Sequence, residues 1–177
     1  VFRLSVCSSI SAFLAQMLSF VALPFLLLVS RQLTALESAV MISVWPLASV
    51  ATAPLSGRLI GKFTSATLGF TGMMIFAVGL ASLAFLPVDA SLLNIGWRLV
   101  VCGVGFALFQ SPNNHTIVTS GPFSRTGAAG GMLRGSRLTG QAIGAAIAAG
   151  VFAWFPLAVS ARGLSLVFAV SAFFAVL

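Results

Sequence analysis

The sequence predicts an all-α, polytopic membrane protein of six transmembrane helices, and three observations carry that prediction. Only 6% of the 177 residues are charged and 59% are hydrophobic, whereas a water-soluble domain needs roughly 25% charged residues to solvate its surface. The few charges leave uncharged stretches at 4–30, 38–57, 63–88, 99–124, 138–161 and 163–177. A hydrocarbon core of about 30 Å takes roughly 20 apolar helical residues, so five stretches suffice and the sixth nearly does. Turn and cap signals separate them.

The first span is expected at about 4–29, between Arg3 and Arg31, with Pro24 bending it toward one end. Thr34 lies three residues before Glu37 in a capping-box pattern, which starts the second span near Ala35 and runs it to about Ser56. The basic segment 57–65 leads to a third span at 66–86, and the turn at 87–91 to a fourth at 92–118. A Gly/Pro/Ser loop precedes a fifth span, rich in small residues, at 128–154; the sixth covers 163–177. The chain opens without Met and stops inside an apolar run, and it reads as a fragment of a longer chain without a signal peptide.

A pI near 11.8 would suggest nucleic acid in a soluble protein. Here the positives stand singly between apolar runs rather than on one face, so no nucleic-acid partner is expected. They are a topology signal instead. The amino-terminal side carries Arg3, Arg58, Lys62 and Arg125, with Arg134 and Arg137 assigned to the first turns of helix five; the opposite side carries Arg31, Arg98, Arg162 and both acids. That imbalance puts the amino end in the cytoplasm. Trp97 and Trp154 then fall at the outer interface, whereas Trp45 lies mid-span and fits no aromatic belt. Cys7 and Cys102 read as small core residues.

Polar groups at membrane depth need a partner, a cavity or the interface. The densest such run is Gln110 to Thr116. Gln110, Asn113 and Asn114 stand at i, i+3 and i+4, beside a carbonyl freed by Pro112. They are either a wall of a solvated substrate cavity or interhelical hydrogen bonds. His115 is a conceivable proton carrier, but an interfacial hydrogen-bonding role is the more common one for a lone His near a helix end. Arg98 is within snorkelling reach of the outer interface. Gly131 and Gly135, then Gly140 and Gly144 with Ala148, form a small-residue stripe on which another helix can bear. No catalytic constellation, metal cluster or cofactor loop is present in the sequence, so an enzyme, a metal and a cofactor are not expected.

The segment Gly57-Arg-Leu-Ile-Gly-Lys-Phe-Thr-Ser resembles the cytoplasmic signature of the major facilitator superfamily, Gly-x-Leu-x-Asp-Arg-x-Gly-Arg. Gly57, Leu59 and Lys62 match it; Gly61 replaces the acid and Thr64 the second Gly. Trp97-Arg98 followed by Gly103-Val-Gly105 is similar to the superfamily's fourth helix. Phe109-Gln-Ser-Pro-Asn-Asn-His-Thr with the Gly-rich fifth helix resembles the carboxy-terminal half of the 14-helix drug/proton antiporters. The resemblance implies that these six helices form the C-terminal domain, which rocks against the missing N-terminal helices of the same chain about a central cavity. It also implies that the first and fourth helices line that cavity, placing Ser8, Ser11, Gln16 and Ser19 near Gln110, Asn113 and Asn114. The family's membrane-embedded acids would belong to the other half.

The function expected is proton-driven multidrug efflux through a bacterial inner membrane, with lipid, protons and a small lipophilic or cationic substrate as partners. A metabolite or sugar exporter of the same superfamily, and a non-transporting membrane subunit that binds a partner through its glycines, are the alternatives.

Overall fold

The computed structural model describes residues 2–87, 90–120, 126–154 and 161–176, without the side chains of Thr126, Trp154, Ala161 and Arg162. Asp89, Arg125 and the side chains of Trp154 and Arg162, each assigned above to one side of the membrane, therefore lie outside the described residues.

Helix α1, Phe2–Pro24, continues as a π-helical segment, Phe25–Ser30. Pro24 has no N–H for the carbonyl one turn back and its ring crowds that carbonyl, and the helix responds by widening instead of breaking. Arg31 N–H reaches back to Leu26 O at 3.1 Å, and Gln32, at φ 53, ends the helix. Helix α2, Ala35–Leu59, starts on the capping box: Thr34 Oγ1 accepts from Glu37 N–H at 3.3 Å, and Glu37 Oε2 accepts from Thr34 N–H at 2.9 Å. It runs past the expected end at Ser56, because Gly57 lacks a side chain without forcing a turn. Gly57 and Leu59 thus sit in its last turn, and Lys62 in the turn that follows, where Leu59 O accepts from the N–H of both Lys62 and Phe63.

Helix α3, Ser65–Ala84, begins at Thr64, whose hydroxyl accepts from Thr67 N–H; α4, Leu92–Thr119, begins at Ser91, whose hydroxyl accepts from Asn94 N–H. Helices α5, Thr126–Trp154, and α6, Ala161–Val176, complete the order. Among the described residues there is no strand. Four helical stretches are long and apolar enough to cross a membrane, Phe2–Ser30, Ala35–Leu59, Ser65–Ala84 and Leu92–Thr119, with a shorter apolar helix at Gly163–Val176. Helix α5 has the length but carries Arg134, Arg137 and Gln141 within it.

The helices pack in the lateral order α2, α4, α3, α6, α1, α5, and α4 also touches α1. The first span has 56% of its most apolar window buried against 17% for α2, so α1 is the central helix and α2 faces outward with Leu36, Val40, Leu47 and Val50. An aromatic chain joins the layers: Phe13 to Phe106 at 5.4 Å, Phe106 to Phe76 at 5.5 Å, Phe76 to Trp45 at 5.6 Å and Trp45 to Phe20 at 5.1 Å. Trp45, only 1% exposed, is a core residue, which is why it fits no interfacial belt. Cys102 is buried as expected, but Cys7 is exposed, because its face of α1 meets no neighbouring helix.

Two glycines fix the position of α4. A Cβ on Gly105 would fall within 3.0 Å of the α3 backbone at Phe76, and one on Gly103 within 3.0 Å of the α2 backbone at Trp45. Two residues apart on a helix is about 200° of rotation, so the Gly-x-Gly pair admits a close neighbour on each side.

Candidate substrate recess

Polar side chains at membrane depth gather where α1, α2, α4 and α5 meet. A recess of about 330 Å³ is bounded there by Gln16, Gln110, Gln141 and Arg137, against Phe20 and Trp45. Counted at 1.5 Å per residue, the three amides and Arg137 lie about 14–23 Å from the helix ends on the Lys62 side. Among the described residues, none of the three amide side chains makes a hydrogen bond. The Arg137 guanidinium lies over Phe13, with Cζ 4.8 Å from the ring centroid. Trp45 buries its Nε1–H without an acceptor. An adjoining recess of about 360 Å³ shares Phe13 and Arg137 and adds Asn114 and Arg134.

The polar run of α4 divides among three surroundings. Asn113 is buried and turns to α1, its Nδ2 donating to Ser9 Oγ at 2.6 Å and to Ser5 O at 3.2 Å. Gln110 and Asn114 face the two recesses just described. Residues 113 and 114 point about 100° apart on a helix, so i, i+3 and i+4 do not amount to one surface. His115 is exposed and borders neither recess.

On α1, Gln16 is opposite Gln110, whereas Ser8 joins Asn113 at a separate hollow between α1, α3, α4 and α6. Ser19 is buried and donates to Ala15 O of its own helix at 2.9 Å; Ser11 is half-buried and borders none of these hollows.

The glycine stripe of α5 is two features. A Cβ on Gly140 or Gly144 would fall within 3.0 Å of the α1 backbone, at Ile10 or Leu14, and Ala148 is fully buried below them. Gly131 and Gly135 are exposed with nothing within 4 Å, so their expected helix-packing role is not met among the described residues. The five-residue step from Gly135 to Gly140 rotates the stripe by about 140° onto another face. Gly57 and Lys62 are exposed and distant from the recess, with Leu59 half-buried. Arg98 does more than snorkel: it donates from Nε to Asn94 Oδ1 at 2.9 Å and from Nη1 to Ser82 O, satisfying a carbonyl near the end of α3.

Arg137 and Gln141 were missed as site residues. Arg137 counts in the sequence as an interfacial charge, but it lies eleven residues, about 16 Å, beyond the start of α5. The available signal was their spacing: Arg134, Arg137 and Gln141 follow at three and four residues, one polar stripe along an otherwise small-residue helix.

Apolar helices around a polar recess define a polytopic helical membrane domain. The chain belongs to the Major Facilitator Superfamily, whose family model matches residues 1–145. It is 48% identical over 148 residues to the Uncharacterized transporter YebQ of Escherichia coli (strain K12), covering 84% of this chain and 32% of that protein. It is 28% identical over 144 residues to the Riboflavin transporter RibZ of Clostridioides difficile (strain 630), covering 81% and 32%. With the Multidrug resistance protein Stp of Mycobacterium tuberculosis (strain ATCC 25618 / H37Rv) it shares 31% over 124 residues, 70% of this chain and 23% of that one. The chain spans about a third of the length of the first two relatives.

Proposed function

We propose that these six helices are the carboxy-terminal domain of a proton-driven exporter of small lipophilic molecules in a bacterial inner membrane. The recess at Gln16, Gln110 and Gln141 would form one wall of its alternating-access pathway. One observation carries the reading: three amides and a guanidinium at membrane depth are left without hydrogen bonds to the described residues. Polar groups inside apolar spans are costly and persist where they meet water or a ligand, and pseudo-symmetric transporters place substrate near the midplane at the interface of their halves. The remaining helices of a chain three times this length would supply the opposite wall and the proton-binding acids. Membership of the superfamily and the transporter and multidrug-resistance names of its relatives support the reading.

A single-metabolite exporter is the second reading, favoured by the likeness to a riboflavin transporter. Substrate profiling of the full-length protein in liposomes, with and without a pH gradient, separates the two. Gradient-dependent movement of several unrelated lipophilic compounds, with a spectrum altered by Gln110→Ala at constant protein abundance, is expected. Movement of one polar metabolite alone would favour the second reading, and no gradient-dependent flux would overturn both.

A further inference from the structure

We infer that the recess between α1, α2, α4 and α5 recognises a planar aromatic oxyanion, with Arg137 holding the anionic group; the inference deepens the transport reading and rests on it.

Charge is the first argument. Arg134 and Arg137 border the two adjoining recesses, and no carboxylate among the described residues does. The only acid among the described residues, Glu37, is engaged by Thr34 at the start of α2, at the opposite end of the bundle from Lys62. On this wall a cation would lie against two guanidinium groups, whereas an anion would meet its complement.

The second argument is the position of Arg137. Its Cζ lies over the Phe13 ring, 4.8 Å from the centroid, and its N–H groups have no hydrogen-bonding partner among the described residues. A guanidinium whose donors have no protein partner can offer its planar fork to a ligand, and that fork binds carboxylate, sulfonate or phosphate through two parallel hydrogen bonds. The surroundings add donors, the amides of Gln16, Gln110 and Gln141.

The rest of the wall suits a flat apolar body. Half-buried Phe20 presents aromatic surface beside the donors, with Phe13, Trp45 and Phe106 buried behind it. The hollow of about 330 Å³ is in the range of small-molecule sites. Aromatic ring and oxyanion thus have neighbouring places, one on Phe20 and one on Arg137.

A matched naphthalene series tests this: β-naphthoate, β-naphthalenesulfonate, β-naphthylmethanol and β-naphthylmethylammonium differ mainly in the charged group. Binding is measured by calorimetry on the purified full-length transporter, and movement of the same probes in liposomes. The two anions are expected to bind at least about tenfold more tightly than the ammonium, and their ratio tells carboxylate from sulfonate preference. Arg137→Gln should weaken the anions about tenfold and leave the alcohol within about twofold, and Arg137→Lys, which keeps the charge but not the fork, should restore part of the loss. Preference for the ammonium, or an equal loss of all four probes in Arg137→Gln and Arg137→Lys, would overturn the inference. Anions that bind through Arg137 but never cross the membrane would uphold the site and sink the transport reading. Flux of other lipophilic compounds with no Arg137-dependent anion binding would do the reverse.

Discussion

Asn113 donates to Ser9 and Ser5 across the seam between α1 and α4, while its chain neighbour Asn114 borders an open hollow. Adjacent, chemically identical side chains therefore have different work, and their mutants should differ accordingly. Interhelical hydrogen bonds in membranes average about 0.6 kcal/mol and reach about 1.7 kcal/mol, so a Ser9→Ala, Asn113→Ala double-mutant cycle should give a coupling in that range when unfolding is followed in mixed micelles. Asn114→Ala should leave stability within about 0.5 kcal/mol, as a change at a wetted surface does. A coupling near zero between Ser9 and Asn113 would mean that the short bond contributes only geometry. The contrast was not legible in the sequence, because composition marks a polar run without saying which member meets a helix and which meets a cavity.

Among the helices, close approach is concentrated at a few glycines. Gly140 and Gly144 hold α5 against α1, Gly72 and Gly105 hold α3 against α4, and Gly103 seats α2. Adding atoms at such contacts costs about 1–3 kcal/mol or more through overpacking. Gly140→Leu and Gly144→Leu are therefore expected to lower the thermal midpoint and the yield of monodisperse full-length protein well below those of Gly131→Leu. A smaller step tests α4: Gly105→Ala should destabilise more than Gly96→Ala, whose new methyl would meet only the Met41 side chain at an ordinary 3.7 Å. Fluorescence-detected size-exclusion chromatography after heating reads both comparisons, and equal behaviour within either pair would refute the packing assignment. The four-residue repeat in α5 was visible in the sequence, but its break between Gly135 and Gly140 decides which half of the repeat is a seam.

At the scale of the whole molecule, the positive-inside count still predicts an inside amino end after Arg137 is moved from the interface to membrane depth. Among the described residues the Lys62 side keeps Arg3, Arg58, Lys62 and Arg134, against Arg31 and Arg98; the order of the spans in the sequence assigns Arg125 to the first side and Arg162 to the second. On the opposite side Arg98 and Arg31 are also tied to carbonyls, those of Ser82 and Pro87. In full-length protein with Cys7 replaced, cysteines at Lys62 and Arg125 should react with an impermeant maleimide only from the cytoplasm, and a cysteine at Asp89 only from outside. The reverse pattern would overturn the orientation.

The helices, their order and most of their starting points follow from the sequence alone. An apolar run in lipid has to satisfy its backbone internally, which makes it helical, and Thr34, Thr64 and Ser91 cap by local hydrogen bonds that need no partner from elsewhere in the chain. Pro24 lies between these cases: its disturbance is written in the sequence, but the widening into a π-helical turn is settled by the helix it belongs to. Tertiary structure alone decides what the polar side chains face. Rotations of 100° separate Asn113 from Asn114, and the helices that close around α4 determine that one becomes a bond to α1 and the other a cavity wall. Arg137 changes from a topology charge to the centre of the recess for the same reason: depth and lateral neighbours are properties of the packed bundle, and residue type does not encode them.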